Sequence, residues 1–330
     1  MPGIPITIAC GNYDRVQAIK DGRVKVDGCT VNFVPLYPEE IFHRVFKFQE
    51  FEVAEISGSS FIRTVAAGAS EYVGIPAFVS RLFRHSGIYV RKGSGISKPE
   101  DLRGKRVGLP EYQITAVVWQ RGMLQHEYGV KPSEIHWRSG GQEQAGRTER
   151  TPLKVIPGLD LQAIPQDKTL VGMLRDGELD ALFTARAPSS FLAGEDHITR
   201  LFPDTRAAEL AYYKKTKLFP IMHLIGIKKT LVAQHPWLPT SIYKAFLDAK
   251  ALAMTDLTDV NALMVTLPFL DAETKATQAA MGKDFWRYGV HESQHEIEAL
   301  IQYLHEQGLI ERKPALEELF APGVFEMSKI

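Results

Sequence analysis

The chain has 330 residues, 45% of them hydrophobic and 24% charged, with 39 Lys+Arg balancing 39 Asp+Glu. That length provides for two modest domains or one large one around a sizeable core. The balanced charge excludes a global field that would gather nucleic acid or an anionic membrane, so any anion recognition has to be local.

Two cysteines, Cys10 and Cys29, are too few for a disulfide framework or a thiolate metal site and read as reduced thiols. No apolar run approaches the ~20 residues of a membrane span, and no basic-then-apolar leader opens the sequence. The expectation is a cytoplasmic protein with no nucleic-acid and no membrane partner.

Ile4–Ala9 predicts a first strand, with Cys10-Gly-Asn-Tyr-Asp-Arg15 as a polar turn at its C-terminal end. Val24–Val26, Asp27-Gly28 and Thr30–Val34 predict a hairpin-type pair. Glu39–Phe48 sets Ile41, Phe42, Val45 and Phe46 on one helical face. Phe51–Ile56 predicts a strand running into Ser57-Gly-Ser59-Ser60 and a helix from about 61 to 67. The free N–H groups at that helix start, with Ser57 and Ser59, suit an anion.

From Pro76 to Val90 an apolar run meets Arg81, Arg84 and His85, then the strand-like Ile88-Tyr-Val90. Cations entering a buried segment need an anionic partner, and a small dianionic ligand in a cleft is the expected one. Ser97–Glu100 has capping-box spacing, and Lys105–Leu109 predicts a short strand. Pro110-Glu111-Tyr112-Gln113 leads into a helix that reaches Tyr128 and stops at Gly129. Ile135–Trp137, Leu161–Ile164 and Ala181–Phe183 read as strands and Thr169–Arg175 as a helix. The irregular stretch 138–157 is long enough to be functional or mobile. Phe219–Ile227 is an apolar strand interrupted by His223, and beyond Thr240 the chain is mostly helical, with capping-box spacing at Ser293–Glu296.

Repeated strand–helix alternation predicts an α/β fold with parallel strands. Strands near 86–91 and 221–227 bracket a block with its own pattern, which predicts a discontinuous lobe of residues 1–90 plus 225–330 and an inserted lobe of 91–224. Ligands of such sheets bind at the C-terminal strand ends and at domain interfaces, here the turns 11–15, 57–60, 110–113 and 184–188. His85 and His223 fall on the two crossings and are the candidate proton donors; Glu111 and Tyr112 are a candidate base and phenol donor. Arg15, Arg81, Arg84 and Arg186 are the candidate anion ligands. Against these stand plain readings: a structural histidine, an ordinary ion pair, a glutamate facing a helix dipole. His291 and His295 are four apart but lack a metalloprotease pattern, and neither a nucleotide-binding glycine loop nor a Gly-x-Ser-x-Gly elbow occurs.

Five segments then carry a resemblance: Cys10-Gly-Asn-Tyr-Asp-Arg15, Pro38-Glu-Glu-Ile-Phe42, Ser80-Arg-Leu-Phe-Arg-His-Ser86, Gly104-Lys-Arg-Val-Gly-Leu-Pro-Glu-Tyr-Gln113 and Phe219-Pro-Ile-Met-His223. In order and spacing the chain resembles the 4,5-dihydroxyphthalate decarboxylases from residue 4 to about 250. The resemblance implies a type II periplasmic-binding-protein-like fold, two α/β lobes on a two-strand hinge, followed here by a helical C-terminal region. It implies a carboxy-lyase that needs no cofactor, because the aromatic ring is its own electron sink. Its partner would be a small aromatic dicarboxylate and its assembly a homo-oligomer. Arg81 and Arg15 would hold the retained carboxylate, His85 or His223 would donate the proton, and Glu111 and Tyr112 would lie near the ring hydroxyls. Two other readings stay open. One is a solute-binding protein capturing an aromatic or other small anion for an ABC transporter. The other is a decarboxylase of a different hydroxylated aromatic acid, with a divalent metal on His85, His223 and Glu111.

Overall fold

Ile4, Ile6 and Ile8 alternate along the first strand, β1 (Ile4–Cys10), of a computed structural model that describes residues 3–147, 153–325 and 327. The chain divides into two units. The first comprises Met1–Arg81, Ile221–Glu298 and Pro314–Ile330, the second Leu82–Pro220 and Ala299–Lys313.

In the first unit β1 is joined by β2 (Cys29–Pro35), β3 (Val53–Ser57), β4 (Tyr72–Arg81) and β11 (Ile221–Lys228) in the order β2-β1-β3-β11-β4. β1 runs parallel to β2 and β3, and β11 runs antiparallel to β3 and β4. The crossover from β1 to β2 contains α1 (Asp14–Lys20), which buries Val16, Ala18 and Ile19. The expected hairpin at 24–34 does not form. β2 instead makes a parallel ladder with β1 from Ile4↔Cys29 to Cys10↔Pro35, and 24–26 is not a strand. Seven paired positions on β1 outcompete the three a hairpin at Val24–Val26 could offer. The same register puts the free thiols Cys10 and Cys29 at opposite ends of the ladder.

α2 (Pro38–Phe48) starts with proline in its first turn and buries Ile41 and Val45. β3 is buried at all five positions, as a strand covered on both faces must be, and continues directly into α3 (Gly58–Ala66). β4 tolerates Pro76 because it is an edge strand of this sheet, where one side needs no N–H.

The second unit has a six-stranded sheet in the order β10-β5-β9-β6-β7-β8. Its strands are β5 (Ile88–Arg91), β6 (Arg106–Leu109), β7 (His136–Ser139), β8 (Leu161–Ala163), β9 (Ala181–Phe183) and β10 (Ile198–Arg200). β6 through β9 are mutually parallel, and β5 is antiparallel to β9 and β10. Because β5 pairs here, residues 82–90 go with the second unit and not with the first, as the boundary at 90 had placed them. Residues 299–313 also belong with the second unit rather than with the helical tail. Their Gln307 accepts from Arg121 Nε at 2.9 Å and donates to the Val118 carbonyl at 2.9 Å, both on α4 (Thr115–Tyr128). α4 ends at Gly129 in the left-handed region, φ +67°. Leu170, Leu174, Leu179, Leu182 and Ile198 pack with Tyr89 in the core of this unit. Of the irregular stretch 138–157, residues 148–152 lie outside the described residues. Among the described residues no helix is long and apolar enough to cross a membrane.

Candidate functional site

Glu55 occupies the middle of β3 with no exposed surface. A lone carboxylate there would cost several kcal/mol, and four donors meet it. Its Oε2 accepts from the Gly11 N–H at 2.8 Å and the Cys10 thiol at 3.6 Å; its Oε1 accepts from the Tyr13 hydroxyl at 2.8 Å and from His223 Nδ1 at 2.6 Å. The sheet register makes the last contact: β11 opposes β3 with His223↔Ser57 and Ile225↔Glu55, so His223 is the diagonal neighbour of Glu55 on one face. The last residue of β1, Cys10, and the turn after it, Gly11 and Tyr13, supply the other three donors at that strand's C-terminal end. Gly11 is required there, since a Cβ would lie 2.5–2.8 Å from the ring and hydroxyl of Tyr13, which folds back toward Glu55.

Burial alone would push the Glu55 carboxyl up, but the hydrogen bond and charge of His223, with the Gly11 and Tyr13 donors, hold it below the usual carboxylate range. Burial first, and the Glu55 charge second, push the Cys10 thiol and the Tyr13 hydroxyl up, so both stay protonated. An ionised carboxylate only accepts, so His223 carries a hydrogen on Nδ1. Its Nε2 has no hydrogen-bond partner among the described residues, and the side chain keeps 17% exposure. The ring edge meets Phe42 of α2 at 4.7 Å and 76°. An imidazole tied at one nitrogen and open at the other is suited to deliver a proton.

Arg15, in the first turn of α1, donates from Nε to the Val79 carbonyl at 2.6 Å and from Nη1 to Asp14 at 3.0 Å. Its guanidinium lies over the rings of Tyr13 and Trp286, 4.2 Å from each centroid. Trp286 is itself fixed by a 3.0 Å bond to the Phe78 carbonyl. Stacking sets the guanidinium plane and places a cation beside Tyr13 and Cys10. Ser57 and Ser59 open α3 but are buried, Ser59 completely, so the expected anion nest has no open face at those hydroxyls.

Other expected residues are placed differently. Arg81 and Glu296 form an ion pair at 3.3 Å with each side chain 1% exposed. Arg81 also donates to Ser293 Oγ at 2.6 Å and to the Arg287 carbonyl at 2.9 Å. The anion its burial demands is therefore a glutamate of its own unit rather than a ligand. In the second unit His85 is 1% exposed between Phe202 and Tyr212, and neither ring nitrogen has a hydrogen-bond partner among the described residues. Burial moves its pKa down to about 4, which leaves it neutral near pH 7. Tyr112 is fully buried with the Arg121 guanidinium 3.6 Å above its ring, a packing position.

Glu111, two residues beyond the end of β6, is buried and ion-paired to Arg147 at 3.0 Å. Arg84 is half-buried, brought down to about 10 by burial, which the Glu209 charge opposes. Arg186 is exposed, its N–H bonded to Thr184 Oγ1 at 3.1 Å and its carbonyl to Gln142 at 3.3 Å. Among the described residues no group of three or more His, Cys, Asp or Glu is placed to hold a metal ion.

Sequence reasoning missed Glu55. Its signal was a single acid inside the otherwise apolar run Val53-Ala-Glu-Ile56, where a both-faces-buried strand has no room for an unpaired charge.

Residues 24–159 match the family described as "ABC transporter, phosphonate, periplasmic substrate-binding protein". Among solved structures, the periplasmic sulfonate-binding protein SsuA of Methylobacillus flagellatus superposes with a TM-score of 0.55 at 14% identity, covering 98% of this chain and 93% of that one, a likeness of fold. The chain is 42% identical over 214 residues to a 4,5-dihydroxyphthalate decarboxylase of Pseudomonas putida, covering 65% of this chain and 83% of the relative. It is 44% identical over 330 residues, 100% of both chains, to the 4,5-dihydroxyphthalate decarboxylase of Comamonas testosteroni. That match includes the region beyond residue 250, where the sequence motifs had given out. The chain belongs to the 4,5-dihydroxyphthalate decarboxylase family, on a periplasmic-binding-protein-like fold.

Proposed function

We propose that the chain is a carboxy-lyase that converts 4,5-dihydroxyphthalate to protocatechuate and CO2 by protonating the ring. The observation that carries this reading is the 44% identity to a decarboxylase across the whole chain. The chemistry fits the residues. Each carboxylate of the substrate is para to a hydroxyl, and ionising that hydroxyl pushes electron density onto the carbon that bears the carboxylate. A proton delivered there gives a dearomatised intermediate, and loss of CO2 restores the ring. Of the two histidines expected as donor, His223 is favoured because its Nε2 is open and its Nδ1 is held, whereas His85 is enclosed by aromatic rings.

Arg15 is the cation assigned to the retained carboxylate. Two carboxylates ~5 Å apart repel by about 3 kcal/mol at an effective dielectric of ~20, and a stacked, planar guanidinium offsets part of that. The clamp should not fix both carboxylates, since only binding that improves in the transition state accelerates the reaction.

A cytoplasmic location belongs to the same reading, supported by the two free thiols. So does a homo-oligomer, supported by the exposed Leu263, Met264 and Phe269 in one short stretch.

The test is to supply 4,5-dihydroxyphthalate and measure CO2 and protocatechuate, with and without chelator. Turnover is expected in both. Stoichiometric binding without product would refute the decarboxylase in favour of anion capture for a transporter.

A further inference from the structure

We propose that Glu55 is the positioning residue of this site: it fixes the tautomer and the aim of His223, so that only Nε2 exchanges protons with substrate and solvent. The proposal rests on the reading of His223 as proton donor.

Glu55 differs from an ordinary ion-pair partner in how completely it is occupied. Both carboxylate oxygens are used twice, Oε1 by Tyr13 and His223 and Oε2 by Gly11 and Cys10. A backbone N–H such as that of Gly11 can only donate, and the Tyr13 hydroxyl and Cys10 thiol are held protonated by burial and by the carboxylate itself. A proton arriving on Glu55 would therefore displace an existing donor. The carboxylate stays ionised through the cycle, and the Nδ1–H stays on His223. The imidazole cannot flip without breaking the 2.6 Å bond, and the Phe42 edge at 4.7 Å confines it from another side. The imidazole meets Glu55 from β3 and Phe42 from α2, while Cys10, Gly11 and Tyr13 from β1 and its turn meet Glu55. Arg15 is the cation that bears on Tyr13 and Cys10.

The Nε2–H bond breaks as a C–H bond forms at the carboxylate-bearing ring carbon. The C–C bond to the carboxylate then breaks, its electron pair returns to the ring, and CO2 departs. The imidazole is left neutral with Nδ1–H still on Glu55, and a solvent proton restores Nε2–H. Glu55 thus acts through His223 and touches no reacting atom.

Two measurements on the full chain test this. Glu55→Gln keeps the shape and removes the charge: kcat should fall about 10²-fold, within the range of positioned proton transfer. KM should stay within about threefold, because Glu55 touches no substrate atom and only the aim of the imidazole is lost. A kcat within threefold of the parent, or a KM that rises as far as kcat falls, overturns the proposal. Should Glu55→Gln not fold, ¹⁵N spectra of histidine-labelled parent protein answer the same question. The neutral His223 ring is expected with its hydrogen on Nδ1, and a hydrogen on Nε2 with bare Nδ1 overturns the positioning. His223→Asn decides the underlying reading separately. Near-normal kcat there refutes the donor role, whereas an inactive His223→Asn beside a Glu55→Gln of parent-like kcat refutes the positioning alone.

Discussion

Replacing Glu296 by glutamine should unfold the first unit far more readily, because it strands a buried cation. Arg81 and Glu296 are each 1% exposed and 3.3 Å apart, and Arg287 reaches the same Glu296 oxygen at 2.7 Å from a more exposed position. Removing one partner of a buried pair typically costs 3–5 kcal/mol, since the remaining charge keeps its desolvation penalty and loses its attraction. That penalty is visible in Arg81 itself, which burial brings down to about 10 against the opposing pull of Glu296. Glu296→Gln leaves Arg81 its two neutral acceptors, Ser293 Oγ and the Arg287 carbonyl, so the lower end, about 3 kcal/mol, is expected. With a urea m-value of roughly 3 kcal/mol/M, the midpoint followed by far-UV circular dichroism should fall by about 1 M. The double variant Arg81→Met/Glu296→Leu removes both charges and should come back to within about 1 kcal/mol of the parent. If Glu296→Gln melts within about 0.2 M of the parent, the ion pair does not balance Arg81. Arg81 would then return as a ligand for substrate carboxylate.

Three further outcomes follow from the same geometry. His85 has a folded-state pKa of about 4 against 6.5 unfolded, so its neutral burial contributes stability that is intact above pH 6.5 and lost as pH falls toward 4, about 3 kcal/mol in full. His85→Leu should be no less stable at pH 7 and should lack that share of the acid sensitivity; superimposable stability–pH curves would refute this. Arg15→Lys keeps the charge but loses the planar fork, so KM should rise about tenfold with kcat within about threefold, and an unchanged KM would remove Arg15 from the carboxylate. Gly11→Ala puts a methyl 2.5–2.8 Å from the ring and hydroxyl of Tyr13, which should lower stability by about 1–3 kcal/mol in thermal melts and reduce kcat through the disturbed Tyr13–Glu55 bond; a parent-like melt and kcat would refute it.

What the sequence reveals is what is decided locally. β1, the buried Ile41 and Val45 of α2 and the stop of α4 at Gly129 follow from periodicity and cap chemistry within a few residues, whereas Phe46, expected on the same α2 face, is exposed. Which sheet a strand joins is a long-range matter, and there the reading slips. β5 looks like a first-lobe strand until its pairing with β9 and β10 places it in the second sheet, and Val24–Val26 looks like half of a hairpin until β1 takes the parallel partner. β4 is masked by Gly74 and Pro76, which weaken the strand signal inside an edge strand.

The site divides in the same way. His223 is conspicuous as a polar residue inside an apolar strand, and Arg15 as a cation just after one. Glu55 acquires meaning only from Gly11, 44 positions away, Tyr13, 42 away, and His223, 168 away. The rule that a buried arginine needs an anion holds for Arg81, but the anion stands 215 residues later in the chain, beyond the reach of any motif.

The placement of residues 299–313 bears on how the protein is born. Tyr303 supplies the ring against Trp119 and over Gly122, where a Cβ would lie 2.1–2.4 Å from it, and Gln307 completes the setting of Arg121. On the ribosome these residues emerge long after Pro220, the last residue of the second unit's main segment. β11 likewise slots between β3 and β4 only once Lys228 has been made. Neither half can finish folding while translation continues, so the nascent chain carries unfinished apolar surface until nearly its full length is out. Expression should accordingly depend on chaperone capacity, and gene fragments cut at residue 220 or 298 should yield no independently stable product.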